Sequence, residues 1–140
     1  MPTVLIADDS PTQLAVLQRP LEERGIQVLT AGSGDEAYAI AEACRPDLIF
    51  MDVIMPAMNG FQATRRISRS RNTAHIPIVI VTSKGQKSDK IWGLRQGAVA
   101  YLIKPVEATE LIQITEKLLG ARTTNRTFAH RRYAPTGHSQ

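Results

Sequence analysis

The feature that most constrains this chain is an alternation. Five short apolar runs, at residues 3–7, 26–30, 48–51, 78–81 and 100–103, are separated by amphipathic stretches of helical period. Short runs that are apolar almost throughout suit strands covered on both faces, and such strands lie in parallel sheets joined by crossover helices. The pattern predicts an α/β fold with a doubly wound parallel sheet. The second run, which mixes Gln27 with Ile26, Val28 and Leu29, suits a sheet edge.

The stretches between the runs carry helix signals. Ser10 can cap the first helix, Pro11 stands at a first-turn position that needs no amide donor, and Gln13 completes a capping-box spacing. Leu14, Leu17 and Leu21 then recur at helical intervals until Gly25 ends the run. Pro20 should kink or break this helix near residues 16–19, because it removes one hydrogen bond and crowds the preceding turn. A second helix is expected over 34–44, with Asp35 and Glu36 in its first turn. A third follows Asn59-Gly60, with Phe61, Thr64 and Ile67 on one face and Arg65, Arg66 and Arg69 on another. A fourth spans 87–96 before Gly97, and a fifth spans 107–119 before Gly120.

The length suits one domain, residues 1–120, followed by a basic tail, residues 121–140, that has no apolar period and reads as disordered. The formal charge of +4 belongs to that tail. Arg122, Arg126, Arg131 and Arg132 account for all of it, and residues 1–120 carry equal numbers of each sign. A charged face spread over the body for nucleic acid is therefore not indicated. The tail reads as a solubilising extension, with an acidic partner or an anionic membrane surface as the sharper alternative. Phe128 and Tyr133 among its arginines hint faintly at single-stranded nucleic acid, and His130 and His138 do not suggest a metal site. No apolar run is long enough to span a bilayer, and no basic leader precedes the first run. The single cysteine, Cys44, reads as a small residue on a helix flank and fits a reducing cytoplasm.

Charged residues stand where the runs stop. Asp8 and Asp9 end the first, Asp52 the third and Lys104 the fifth. In a parallel α/β sheet the carboxyl ends of the strands share one edge, and ligands bind there. Adjacent carboxylates repel unless a cation offsets them, and Mg²⁺ takes a few protein oxygens while keeping several waters. Asp52 can attack phosphorus as a nucleophile, a reaction carried mainly by positioning and electrostatics. The compact charge of Lys104 suits a phosphoryl oxygen, and the hydroxyl of Thr82, ending the fourth run, can donate to one. Pro105 is a candidate for a cis bond that would turn Lys104 over the sheet edge.

With these residues in place, the chain resembles the CheY-like receiver domains of two-component response regulators over about residues 3–120. The resemblance implies a flavodoxin-like (βα)5 fold with strand order 2-1-3-4-5. It implies that Asp52 is the phosphoacceptor, charged by a histidine kinase, and that Asp8, Asp9, Asp52 and the Ile54 carbonyl hold Mg²⁺. It also implies that Thr82 and Lys104 contact the phosphoryl group and that Tyr101 is an aromatic switch. Residues 59–65 and 82–98 look like the single-domain regulators of type IV pilus twitching motility, the PilH-like proteins, and their cyanobacterial phototaxis relatives.

Such a protein is a non-enzymatic cytoplasmic switch, acting through a downstream motility protein or as a phosphate sink for a shared kinase. No DNA-binding domain fits after Gly120. Ile54 and Lys84 occupy the positions that tune dephosphorylation in receivers, and an apolar Ile54 predicts slow autodephosphorylation. An aspartyl phosphohydrolase would share the nucleophile, but many carry a second acid where Ile54 stands. A flavin carrier would need a phosphate-cradling loop where Asp8-Asp9 lies. Trp92 reads as packed against the third or fifth helix, or otherwise as part of an output surface formed by the fourth helix, fifth strand and fifth helix.

Overall fold

The computed structural model describes residues 1–83 and 87–125. Strands and helices alternate throughout: β1 (Thr3–Ala7), α1 (Pro11–Glu23), β2 (Gln27–Ala31), α2 (Gly34–Cys44), β3 (Leu48–Asp52), α3 (Gly60–Arg69), β4 (Ile78–Ser83), α4 (Lys87–Gln96), β5 (Ala100–Lys104) and α5 (Ala108–Asn125). The strands form one parallel sheet in the order β2-β1-β3-β4-β5, the flavodoxin-like arrangement. The mixed second run is an edge strand, as its composition predicts.

The sheet separates two apolar clusters. On one side Val4, Ile6, Phe50, Val79 and Leu102 meet Leu17 and Leu21 of α1 and Leu111 and Leu118 of α5. On the other, Leu5, Ile49, Met51 and Ile80 meet Ala37 and Ala41 of α2 and Ala63 and Ile67 of α3. Alternate residues of each central strand feed opposite clusters, which is why these strands are apolar at every position. Burying one such side chain fully contributes about 1.5–3 kcal/mol.

Helix starts follow the sequence closely. The Ser10 and Ser33 hydroxyls accept from the amides of Gln13 and Glu36 at 3.3 Å and 3.1 Å. Asn59 and Gln62 form a reciprocal capping box at 2.9 Å in each direction. Gly25 ends the first turnaround with φ of 78°.

Three expectations need correction. Of the kink or break expected at Pro20, the break does not occur, and α1 runs through Pro20 to Glu23. Leu17 and Leu21, one turn apart, are buried against the sheet and hold the helix together. The carbonyl freed by Pro20 belongs to Val16, which is 48% exposed, so water can satisfy it. Gly120 does not end α5, which continues to Asn125. Glycine costs only about 1 kcal/mol relative to alanine inside a helix, and Leu118 anchors the preceding turn. The residues of the expected tail therefore begin as helix, and His130, His138, Phe128 and Tyr133 lie outside the described residues. Finally, Trp92 is 49% exposed. The close approaches are made by Gly93 on α4, against Phe61 and Ile80, and by Gly97 just after it, against Ser68, while the indole beside Gly93 stays at the surface.

Candidate functional site

The carboxyl ends of β1, β3, β4 and β5 converge because the strands are parallel and in register. Ala7 pairs with Met51, Asp52 with Val81, Thr82 with Ile103 and Ser83 with Lys104. Each chemistry-bearing residue falls on the last strand residues or just beyond them. β3, β4 and β5 run one or two residues past the apolar runs, so Asp52, Thr82 and Lys104 are strand residues with fixed backbones. Together they line an open cleft of about 410 Å³ with Asp8, Asp9 and Ile54.

Lys104 is the hinge of the electrostatics. Its ammonium donates to Asp8 Oδ2 at 2.9 Å and to Asp52 Oδ1 at 2.9 Å. The other oxygen of Asp8 accepts from the Ser10 amide at 2.9 Å, and the Asp8 amide is tied to the Ala31 carbonyl at 2.9 Å. Asp8 and Asp52 are buried, whereas Asp9 is exposed. Burial pushes the Asp52 carboxyl above the usual carboxylate range, and the charges of Asp8 and Asp9 push the same way against the Lys104 hydrogen bond. Burial alone would lower the Lys104 ammonium, but its hydrogen bonds to Asp52 and Asp8 prevail and hold it above the ordinary lysine value.

The loop after β3 is set by backbone fit. A Cβ at Gly60 would overlap the Asp52 carbonyl, and the Gly60 amide donates to the Val53 carbonyl at 2.9 Å. A Cβ at Gly34 would overlap the Met58 carbonyl, so α2 closes against the same loop. Ala57 accommodates the turn with φ of 62°, a left-handed conformation costly for a residue with a Cβ.

Asp8, Asp9 and Asp52 can each bring one carboxylate oxygen within 4.8 Å of the others. Three hard oxygens at a cleft mouth fit a Mg²⁺ ion that keeps part of its water shell. The raised Asp52 carboxyl fits as well, since a cation would favour its ionised form against burial and against the charges of Asp8 and Asp9.

The other expected residues are placed plainly. The Lys104-Pro105 bond is cis. Thr82 is buried, with its hydroxyl 3.4 Å from the Ser83 carbonyl. Ile54 projects at the rim, 75% exposed. Tyr101 is half-buried and packs against the cluster on the α2–α3 side of the sheet, away from the cleft lining. Lys84 lies outside the described residues. Gln13 and Ser83 also line the cleft and were not singled out as site residues from the sequence. The only signal for Gln13 was its place in a capping spacing, which says nothing of its side chain.

Residues 4–116 match the response regulator receiver domain. This chain belongs to that family. Receivers accept a phosphoryl group, in general from a histidine kinase, and bind Mg²⁺ at their acidic site. The chain is 46% identical over 119 residues to the protein PilH of Pseudomonas aeruginosa, covering 85% of this chain and 98% of that protein. Its fold is similar to the chemotaxis response regulator CheY4 of Vibrio cholerae, with TM-score 0.79, 31% identity, and 84% and 98% of the two chains covered. It is also similar to the receiver domain of the sensor histidine kinase PA1611 of Pseudomonas aeruginosa, solved with magnesium coordinated in its active-site cleft. That likeness has TM-score 0.80 and 31% identity, with 85% and 98% of the chains covered. Among the described residues, no helix of this receiver is long and apolar enough to cross a membrane.

Proposed function

We propose that this receiver takes a phosphoryl group on Asp52 from the phosphohistidine of a histidine kinase and works as a switch in type IV pilus motility or a related chemotaxis- or phototaxis-like system. The observation that carries the reading is the Lys104 ammonium, 2.9 Å from both Asp52 and Asp8 beside the exposed Asp9. An oxygen of Asp52 attacks phosphorus, a P–O bond forms as the P–N bond breaks, and the histidine leaves with the bonding electron pair. Asp8, Asp9, Asp52 and the Ile54 carbonyl would hold Mg²⁺. Bound there, Mg²⁺ supplies positive charge against the phosphoryl oxygens. Lys104 is tethered by Asp8, so it stays at the site when Asp52 turns to the phosphoryl group, and the Thr82 hydroxyl is a second donor.

The added charge beside Thr82 and Lys104 biases Tyr101 between two arrangements, and the face of α4, β5 and α5 carries the output. The exposed Ile91 and Trp92 on α4 and Ile103 on β5 support that face as a contact surface for a downstream motility protein. A phosphate-sink role for a shared kinase uses the same site. The unit of phosphorylation is residues 1–120, with 121–140 a basic appendage, and the kinase's phosphotransfer domain implies a cytoplasmic location. Pathway membership is supported by the 46% identity to PilH over nearly the whole of that protein.

Intact-protein mass after incubation with acetyl phosphate and Mg²⁺ tests the reading. One phosphoryl adduct is expected on the wild type, and none on Asp52→Ala or without Mg²⁺. An adduct that persists on folded Asp52→Ala would refute it. The phosphorylated state should also decay slowly, because the exposed Ile54 cannot orient a water. Ile54→Asn combined with Lys84→Glu should speed the decay severalfold, and an unchanged rate would overturn that account.

A further inference from the structure

The body's neutrality hides a segregation of charge. From residue 53 to residue 88 the sequence contains no aspartate or glutamate, yet it holds Arg65, Arg66, Arg69 and Arg71. All four are exposed, three of them on α3. On α1 and at its end arginines do find acids: Arg24 meets Glu116 at 2.7 Å and Arg19 meets Glu23 at 4.0 Å. No described carboxylate pairs with any of the four on or beside α3. Like charges one turn apart, such as Arg65 and Arg69, weaken a helix, and only the C-terminal end of its dipole favours them. Their place in the fold calls for no such cluster.

We infer that the exposed face of α3 is a docking surface for an acidic α-helix of a partner protein. Arg65 and Arg69 are separated by one helical turn, about 6 Å along the axis. Carboxylates four residues apart on a partner helix repeat at the same spacing, and the guanidinium fork takes a carboxylate through two parallel hydrogen bonds. The cluster is also partly preorganised. Arg66 lies 4.1 Å from the centroid of the Tyr38 ring, whose hydroxyl is 3.1 Å from that of Ser70, so α2 braces the arginine face.

The same details disfavour other anions. A lipid surface is gripped by charge together with apolar anchors, and every large apolar side chain of α3 faces inward: Ile67 is buried and Phe61 half-buried. A single-stranded nucleic acid needs an open aromatic platform, and the nearby Tyr38 ring is already covered by Arg66.

Fluorescence anisotropy at low salt tests this with the full-length protein. The probes are a labelled alanine-based helical peptide with glutamates four apart on one face, an isomer with the same glutamates distributed around the helix, a short DNA duplex, and phosphatidylglycerol vesicles. The one-faced peptide should bind in preference to its isomer, and added salt should weaken it. Arg65→Glu with Arg69→Glu should weaken it at least about tenfold, and Arg65→Gln with Arg69→Gln by less. The charge-matched tail variant, Arg122→Glu with Arg126→Glu, should change it by less than about threefold. Circular dichroism of each variant checks the fold. Equal binding of the two peptides, an equal loss in the tail variant, or tighter α3-dependent binding of DNA or vesicles would each overturn the inference.

Discussion

Lys104→Met offers the sharpest physical test of the site. The substitution keeps most of the side-chain volume but removes the ammonium that lies 2.9 Å from both Asp8 and Asp52. The lysine side chain is 18% exposed and its partners 3% and 10%, so water screens the pair poorly. Removing one partner of a fully buried ion pair costs about 3–5 kcal/mol. The open cleft mouth lets water reach the orphaned carboxylates, which brings the expected loss to about 2–3 kcal/mol in EDTA at neutral pH. For a domain of this size that lowers Tm by roughly 6–15 °C.

The pH dependence carries a sign. The folded Lys104 value is raised, so its stabilisation is complete below the unfolded lysine value and is lost as pH rises through the folded one. Toward acid pH Asp52 protonates early because burial raises its value, and its attraction to Lys104 disappears. The gap between wild type and Lys104→Met should therefore be widest at intermediate pH and close at both extremes. Millimolar Mg²⁺ should narrow it, since a cation bound to the carboxylates replaces the missing charge. Urea denaturation across pH, with and without Mg²⁺, measures all of this. A deficit below about 0.5 kcal/mol at neutral pH would put the pair in the class of exposed surface bridges and refute the reasoning.

Other substitutions probe separate parts of the structure. Asp52→Asn should be more stable than wild type at neutral pH in EDTA. A raised carboxyl stabilises the fold fully only below its unfolded value, about 3.9, so the advantage should vanish as a thermal series is carried down to that pH. Thr64→Val replaces the buried, unpartnered Thr64 hydroxyl with a methyl of similar shape and should add about 1 kcal/mol in a denaturant titration; a loss would mean that the hydroxyl has a partner. Ala57→Gly relieves a left-handed residue at φ 62° and should stabilise by about 1 kcal/mol, and no gain would argue against that turn geometry.

Strand ends were legible in the sequence because the middle of a buried parallel strand rarely holds a charge. A charged residue therefore marks where the apolar run stops: Asp52 and Lys104 close β3 and β5 and Asp8 follows β1, with Asp8 and Asp52 still buried at the cleft. Caps were legible because Ser10 and Asn59 act within one turn of themselves. What escaped depends on partners distant in sequence. The Lys104–Asp8 bond joins residues 96 apart, and only the strand order brings them together. Pro20 and Gly120 were overweighted because propensity acts locally while Leu17, Leu21 and Leu118 act through the core. The exposure of Trp92 could not be read because it depends on which face of α4 packs inward, and that face is set by Gly93 against Phe61 and Ile80, residues distant in sequence. The arginine face of α3 was visible as a helical pattern, but counting net charge over the whole body averaged it away.

The two apolar clusters share a sheet but no side chain. Substitutions beneath α1 and α5 and substitutions beneath α2 and α3 should therefore add nearly independently, as distant sites do. The α3 side can then accumulate new surface residues, and the packing changes they require, without loosening the α1–α5 side. One half of the molecule keeps the strand ends aligned while the other remains open to redesign.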